Sequence, residues 1–135
     1  MSAPNKQKRS DRSAQASAVE QASAGDLRQA LFREVNDQIQ SLNAEWTADA
    51  EEVVLCECTN PDCQEPIEIT APEYETVRRF PTRFLVKPGH ASPVGDRVII
   101  DLGSYLVVEK VGPGAETAIR LDPRRAKARD EAATR

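Results

Sequence analysis

Three cysteines fall within eight residues, Cys56-Glu57-Cys58-Thr59-Asn60-Pro61-Asp62-Cys63, and the chain's only histidine, His90, follows 27 positions later in Lys87-Pro88-Gly89-His90. Three thiolates and one imidazole form the donor set of a closed tetrahedral Zn2+ site, with Zn–S about 2.3 Å and Zn–N about 2.0–2.1 Å. Soft sulfur with imidazole favours Zn2+ over Mg2+ or Ca2+, and Fe2+ or Co2+ suits the same ligands in vitro. Four protein ligands leave no vacancy for a substrate, so the chemistry expected of this cluster is architectural. Strand alternation puts Cys56 and Cys58 on one face and turns Glu57 away. Thr59 to Asp62 is turn chemistry that brings Cys63 back to the same point. Gly89 permits the tight turn that presents His90. Two other readings stand beside this one: three cysteines that are merely reduced and buried, and a shell completed by Asp62, Glu65 or water in place of His90. The flanking Glu57, Asn60, Asp62 and Gln64 weigh against the first, since buried cysteines keep apolar neighbours.

The elements that must position these ligands are few. Gly25-Asp26 opens the clearest helix, with Asp26 as its N-cap. Leu27, Leu31, Val35, Ile39, Leu42 and Trp46 form one apolar stripe, widened by Phe32, opposite a polar face of Arg28, Gln29, Arg33, Asn36, Asp37 and Gln40. The stripe is expected to cover the core, with a partner-binding helix as the alternative. Glu51 to Cys58 reads as a strand entering the cysteine turn, and Pro66 to Ile69 as the strand leaving it. Thr70-Ala71-Pro72-Glu73 is a capping box. It starts a short helix that ends near Pro81, with Tyr74, Val77 and Phe80 on one face. Phe84 to Val86 is a strand running into the His90 turn. Val98 to Ile100 and Tyr105 to Val108 flank Gly103-Ser104 as a two-residue hairpin. A helical segment follows Gly112-Pro113-Gly114 to about Leu121. The fold class is α+β: a small zinc-stapled domain with one long N-terminal amphipathic helix, a short second helix, and antiparallel strands that include a C-terminal β-hairpin.

With 135 residues and only 4% aromatics, the chain holds one small domain that gains from a staple. The division read from composition is a disordered basic arm at 1–24, a zinc-binding domain at 25–121 and a charged flexible tail at 122–135. An odd cysteine count argues against a disulfide framework. The polar first thirty residues lack a signal-peptide apolar run, and no stretch approaches membrane-spanning length. The expected location is therefore cytoplasmic. A net charge of −4 conceals basic ends on an acidic middle, with no Lys or Arg between Arg33 and Arg78 and twelve acids in that span. Such a field repels phosphate and attracts basic surfaces, although scattered acids also serve solubility.

The cysteine octet resembles the zinc knuckle of the post-SET segments of lysine methyltransferases, which implies a metal role for Cys56, Cys58 and Cys63. The likeness covers only those eight residues, so no methyl transfer is implied. A longer resemblance covers residues 30–123. Leu31-Phe32-Arg33-Glu34-Val35-Asn36, the cysteine turn, Glu68-Ile69-Thr70 with Glu73-Tyr74-Glu75, Arg83-Phe84, Pro88-Gly89-His90 and Tyr105 to Lys110 are together similar to a family of small actinobacterial proteins. That family shares Phe-Arg-Glu-Val-Asn, Cys-x-Cys-x4-Cys, Pro-Gly-His and Val-Val-Glu-Lys. The resemblance implies a structural unit and a ligand role for His90, with no reaction attached.

Three functional classes follow. The first is a non-catalytic zinc-stabilised interaction or regulatory protein that binds a basic protein partner through exposed acids Glu57, Asp62 and Glu65. The second is nucleic-acid association through the arms Lys6, Lys8, Arg9 and Arg124, Arg125, Lys127, Arg129, opposed by an acidic middle and few stacking aromatics. The third is a thiol or zinc redox sensor. An enzyme is not expected: one histidine, no Gly-rich phosphate loop and no deaminase pairing of His-x-Glu with Pro-Cys-x-x-Cys leave little to work with.

Overall fold

The computed structural model describes residues 23–43 and 46–125. The order is α1 (Ala24–Leu42), β1 (Glu51–Leu55), β2 (Pro66–Thr70), α2 (Ala71–Arg78), β3 (Arg83–Val86), β4 (Asp96–Asp101), β5 (Leu106–Lys110) and α3 (Pro113–Arg120). β1 and β2 pair as an antiparallel ribbon, and β3-β5-β4 form an antiparallel three-stranded sheet. This is the α+β architecture expected from the sequence. Of the arm and tail read there, residues 1–22 and 126–135 lie outside the described residues.

The pattern of each strand states its place. β2 alternates, with Ile67 and Ile69 buried and Glu68 exposed, so one face of the ribbon meets solvent. β5 is the central strand of its sheet and reads as a continuous apolar run, with Leu106, Val107 and Val108 all buried. Phe84, Leu85 and Val86 of β3 are buried on both faces too. Each such side chain contributes roughly 1.5–3 kcal/mol on leaving water. Trp46 and Tyr74 complete the core, with ring centroids 5.6 Å apart.

Local signals hold at several joints. Thr70 and Glu73 form the expected capping box: the Glu73 amide donates to Thr70 Oγ1 at 3.3 Å, and the Thr70 amide donates to Glu73 Oε1 at 3.2 Å. The hairpin turns at Gly103-Ser104, where Gly103 has a φ of 84° and the Leu102 amide donates to the Tyr105 carbonyl at 3.0 Å. Within β4 the register shifts, so that Val98 opposes Val108 while Ile100 opposes Val107. This bulge puts Val98 and Ile100 on opposite faces of the sheet, where simple alternation places them together.

Three expectations are corrected. Ser23, not Asp26, caps α1: its Oγ accepts the Asp26 amide at 3.0 Å, and Asp26 sits in the first turn beside the positive end of the helix. Phe80 is 40% exposed, lying under the Arg83 guanidinium at 3.8 Å instead of filling the core. The largest correction concerns the faces of α1. Leu31 is 54% and Leu42 86% exposed, whereas Arg33 and Asn36 from the opposite, polar face are 0% exposed. The polar face turns inward because what it meets is backbone at the ends of elements, where β1 stops, α2 has ended and α3 makes its last turn, and the carbonyls there need donors. Arg33 donates to Pro81 O at 2.6 Å and Ala118 O at 2.8 Å. Asn36 Nδ2 donates to Leu55 O at 2.8 Å, and Asn36 Oδ1 accepts the Leu55 amide at 2.9 Å. No leucine supplies those bonds.

Candidate metal centre

The knuckle is built where β1 ends. The Cys56 amide donates to Glu65 O at 2.9 Å, which closes the base of the loop one residue beyond the β1–β2 ladder. The chain then runs alongside β3: the Glu57 amide donates to Leu85 O at 2.8 Å, and the Leu85 amide returns a bond to Glu57 Oε1 at 3.1 Å. Alternation across this segment sends Cys56 and Cys58 to one side and Glu57 to the other. Next comes the reversal, in which Asn60 Oδ1 accepts the Asp62 amide at 3.0 Å and Asn60 O accepts the Cys63 amide at 3.1 Å. On the facing loop, the His90 amide donates to Lys87 O at 3.0 Å, and Gly89 has a φ of 84°. Pro88 and Gly89 occupy the central positions of a type II turn, where proline presets the first residue and only glycine takes the second without strain.

These two turns bring Cys56, Cys58, Cys63 and His90 together. One donor atom from each lies within 4.8 Å of every other. His90 presents Nδ1 to the sulfurs, 3.6 Å from Cys56 Sγ and 3.5 Å from Cys63 Sγ. A tetrahedron with the bond lengths of a thiolate–imidazole zinc site has sulfur-to-nitrogen edges of about 3.5 Å. The cluster therefore has the donor types and spacing to chelate a metal ion. Asp62 and Glu65, the alternative fourth donors, are exposed and are not part of the cluster.

The surroundings enclose the sulfurs. All three cysteines are free and buried. The Lys87 amide donates to Cys56 Sγ at 3.2 Å. Burial pushes the Cys56 thiol well above its ordinary pKa, and the Lys87 amide opposes that rise. Burial raises Cys58 as well. A metal must therefore displace protons that the protein interior holds firmly. Arg28 reaches over from α1, donating from Nη1 to Cys58 O and from Nη2 to Cys63 O, with Nη1 also 3.9 Å from Cys58 Sγ.

Glu57 requires a correction. The sequence places it as an exposed contact acid, yet it is completely buried. It faces away from the cluster, as alternation dictates, but away means into the domain. Its Oε2 accepts from Asn36 Nδ2 at 2.8 Å, so it joins β3 to α1. Burial raises its pKa to about 7, against the pull of Asn36, the Leu85 amide, Arg33 and Arg78. Arg28, Asn36 and Glu57 are supporting residues that the sequence reading did not assign. The signal for Arg28 and Asn36 was the polar face of α1, whose long donors match backbone carbonyls in the segments it crosses.

Compared with protein-family models, with curated proteins and with solved structures, the chain matches none.

Proposed function

We propose that this protein is a non-catalytic interaction domain stapled by a single Zn2+ held by Cys56, Cys58, Cys63 and His90. The observation that carries this reading is the convergence of three buried sulfurs and one Nδ1 at tetrahedral spacing from two separate turns. Four protein donors fill the shell of a structural zinc and leave none of the open positions that catalytic zinc requires. Burial of the sulfurs supports a staple over a readily oxidised sensor. Among the described residues no helix is long and apolar enough to cross a membrane.

The partner is a basic protein surface, and the contact face is the outer side of the β1–β2 ribbon. With Glu57 inside, the acids left on that face are Glu51 and Glu68, both exposed, around a half-exposed Val53 that pairs with Glu68 across the strands, with the exposed Glu65 on the adjoining cysteine loop. None of the three makes an ion pair among the described residues. An apolar centre with an acidic rim suits a surface that offers lysine or arginine around an apolar side chain.

Zinc content of the wild type and of His90→Ala tests the metal half: loss of metal in the variant supports the closed site, and full retention returns it to an open three-thiolate shell. Capture of native-cell proteins on the wild type and on Glu65→Lys/Glu68→Lys tests the face. A partner lost by the double variant supports it, and unchanged capture of every partner refutes it.

A further inference from the structure

The guanidinium of Arg28 stands against the donor cluster, and that position has an electrostatic meaning. A Zn2+ bound by three thiolates and a neutral imidazole carries one net negative charge. The cluster is buried, and a buried net charge is costly unless an opposite charge stands close to it. Arg28 is 9% exposed, the cation closest to the sulfurs by the contacts described, at 3.9 Å from Cys58 Sγ. Its two terminal nitrogens straddle the turn, one on the carbonyl of Cys58 and the other on that of Cys63, so the same group that supplies charge sets the spacing of two ligands. Its Nε has no hydrogen-bond partner among the described residues, and its plane lies 3.8 Å from the Phe32 ring centroid.

Arg28 belongs to α1, which touches the knuckle at a second point. A Cβ on Gly25 would stand 2.8 Å from Thr59 Cβ, so the first turn of the helix rests directly on the loop. Without metal, Arg28 is a buried cation braced on the carbonyls of Cys58 and Cys63. With metal, it faces an anion. The docking of the first turns of α1 and the loading of the metal are therefore linked, and the linkage is reciprocal: whatever the metal adds to docking, Arg28 adds to metal affinity.

We propose that Arg28 is the built-in counter-ion of the metal–thiolate centre, and that through it metal loading governs the seating of the N-terminal turns of α1. This rests on the zinc reading above. Beyond Arg28, α1 has metal-independent anchors in Arg33 and Asn36, and its first turn is also held by the Asp26–Lys110 ion pair at 2.7 Å, so the response centres on the turn that carries Arg28.

Co2+ is the probe, because thiolate-to-cobalt absorption reports how many sulfurs bind. Wild type, Arg28→Lys and Arg28→Gln are titrated with Co2+ and then with Zn2+ in competition. The proposal predicts unchanged absorption per bound Co2+ in all three, affinity about 10–100-fold weaker in the Gln variant, the usual size of an outer-shell effect, and partial recovery in the Lys variant. Equal affinity of Gln variant and wild type overturns it. Equal losses in Lys and Gln overturn the charge role and leave only the carbonyl fork. If the wild type itself shows no cobalt–thiolate absorption, the zinc reading has failed instead. Hydrogen exchange on wild type guards against a variant that does not fold: protection at residues 27–31 must rise on metal loading more than protection in β5, and an equal response overturns the coupling. Urea unfolding with and without Zn2+ separates a purely structural arginine, which lowers both stabilities alike, from a counter-ion, which lowers the metal-loaded one more.

Discussion

At the scale of single residues, the fully buried carboxylate of Glu57 and the partly buried one of Asp37 have environments that push in opposite directions. Burial dominates at Glu57 and raises its pKa to about 7. At Asp37 burial would also raise it, but the hydrogen bond and charge of Arg78, at 2.8 Å, outweigh burial and hold the carboxyl below its usual range. The stability each supplies therefore depends on pH with opposite sign. A raised carboxyl binds more protons folded than unfolded, so the contribution of Glu57 is complete below its ordinary value and is lost as pH rises towards about 7. That loss is on the order of 3 kcal/mol for a shift of this size. Asp37 contributes at neutral pH and loses that contribution on acidification through its folded pKa. Glu57→Gln cannot titrate. With both proteins saturated in Zn2+, the wild type is expected to lose stability relative to Glu57→Gln as pH rises from about 4.5 to about 7, read by urea unfolding at each pH. A pH-independent difference between the two would contradict the assignment.

At the scale of elements, α1 is the informative case. The apolar spacing Leu27, Leu31, Val35, Ile39 located the helix, because periodicity marks helical geometry whichever face is buried. It misassigned the inner face, because the rule presumes an apolar bed, and this helix lies on the knuckle, the end of β1, the turn after α2 and the last turn of α3, whose carbonyls accept from Arg28, Arg33 and Asn36. The candidate cluster was legible because cysteines and a lone histidine in two turns announce themselves by type and spacing. Glu57 was half legible: alternation told which way it pointed, but a sequence does not say whether that side is solvent or β3. The bulge in β4 and the ion pairs of Asp122 had no local signature. From the inverted helix a ranking follows. Leu31→Gln is expected to change stability by less than about 0.5 kcal/mol. Asn36→Leu leaves both polar groups of Leu55 and one oxygen of Glu57 without their partner and is expected to cost on the order of 3 kcal/mol. Chemical denaturation that finds the leucine the more costly site would reverse this picture of α1.

At the scale of the whole molecule, two cross-links tie distant parts of the chain together. One is ionic: Arg78 of α2 bonds Asp37 of α1 at 2.8 Å and Asp122 beyond α3 at 2.6 Å, while Arg124 reaches Glu75 at 2.6 Å. Asp122 and Arg124, read from composition as the start of a flexible tail, are thus fastened to the domain. Arg78→Met strands two carboxylates of which Asp122 is buried, and is expected to cost about 3–5 kcal/mol, as for other broken buried pairs, visible as a lowered thermal midpoint. The other is the proposed metal centre, whose four donors bring the loop after β1 against the loop after β3. In a domain this small a structural metal contributes folding free energy directly. Its presence is the claim on which the rest stands. Elemental analysis of protein purified without chelator, followed by near-ultraviolet circular dichroism on adding a strong chelator, tests it most directly. The account predicts one zinc per chain and loss of the signal of the packed Trp46 and Tyr74 when the metal is withdrawn. A metal-free protein whose signal is unchanged in chelator would contradict it.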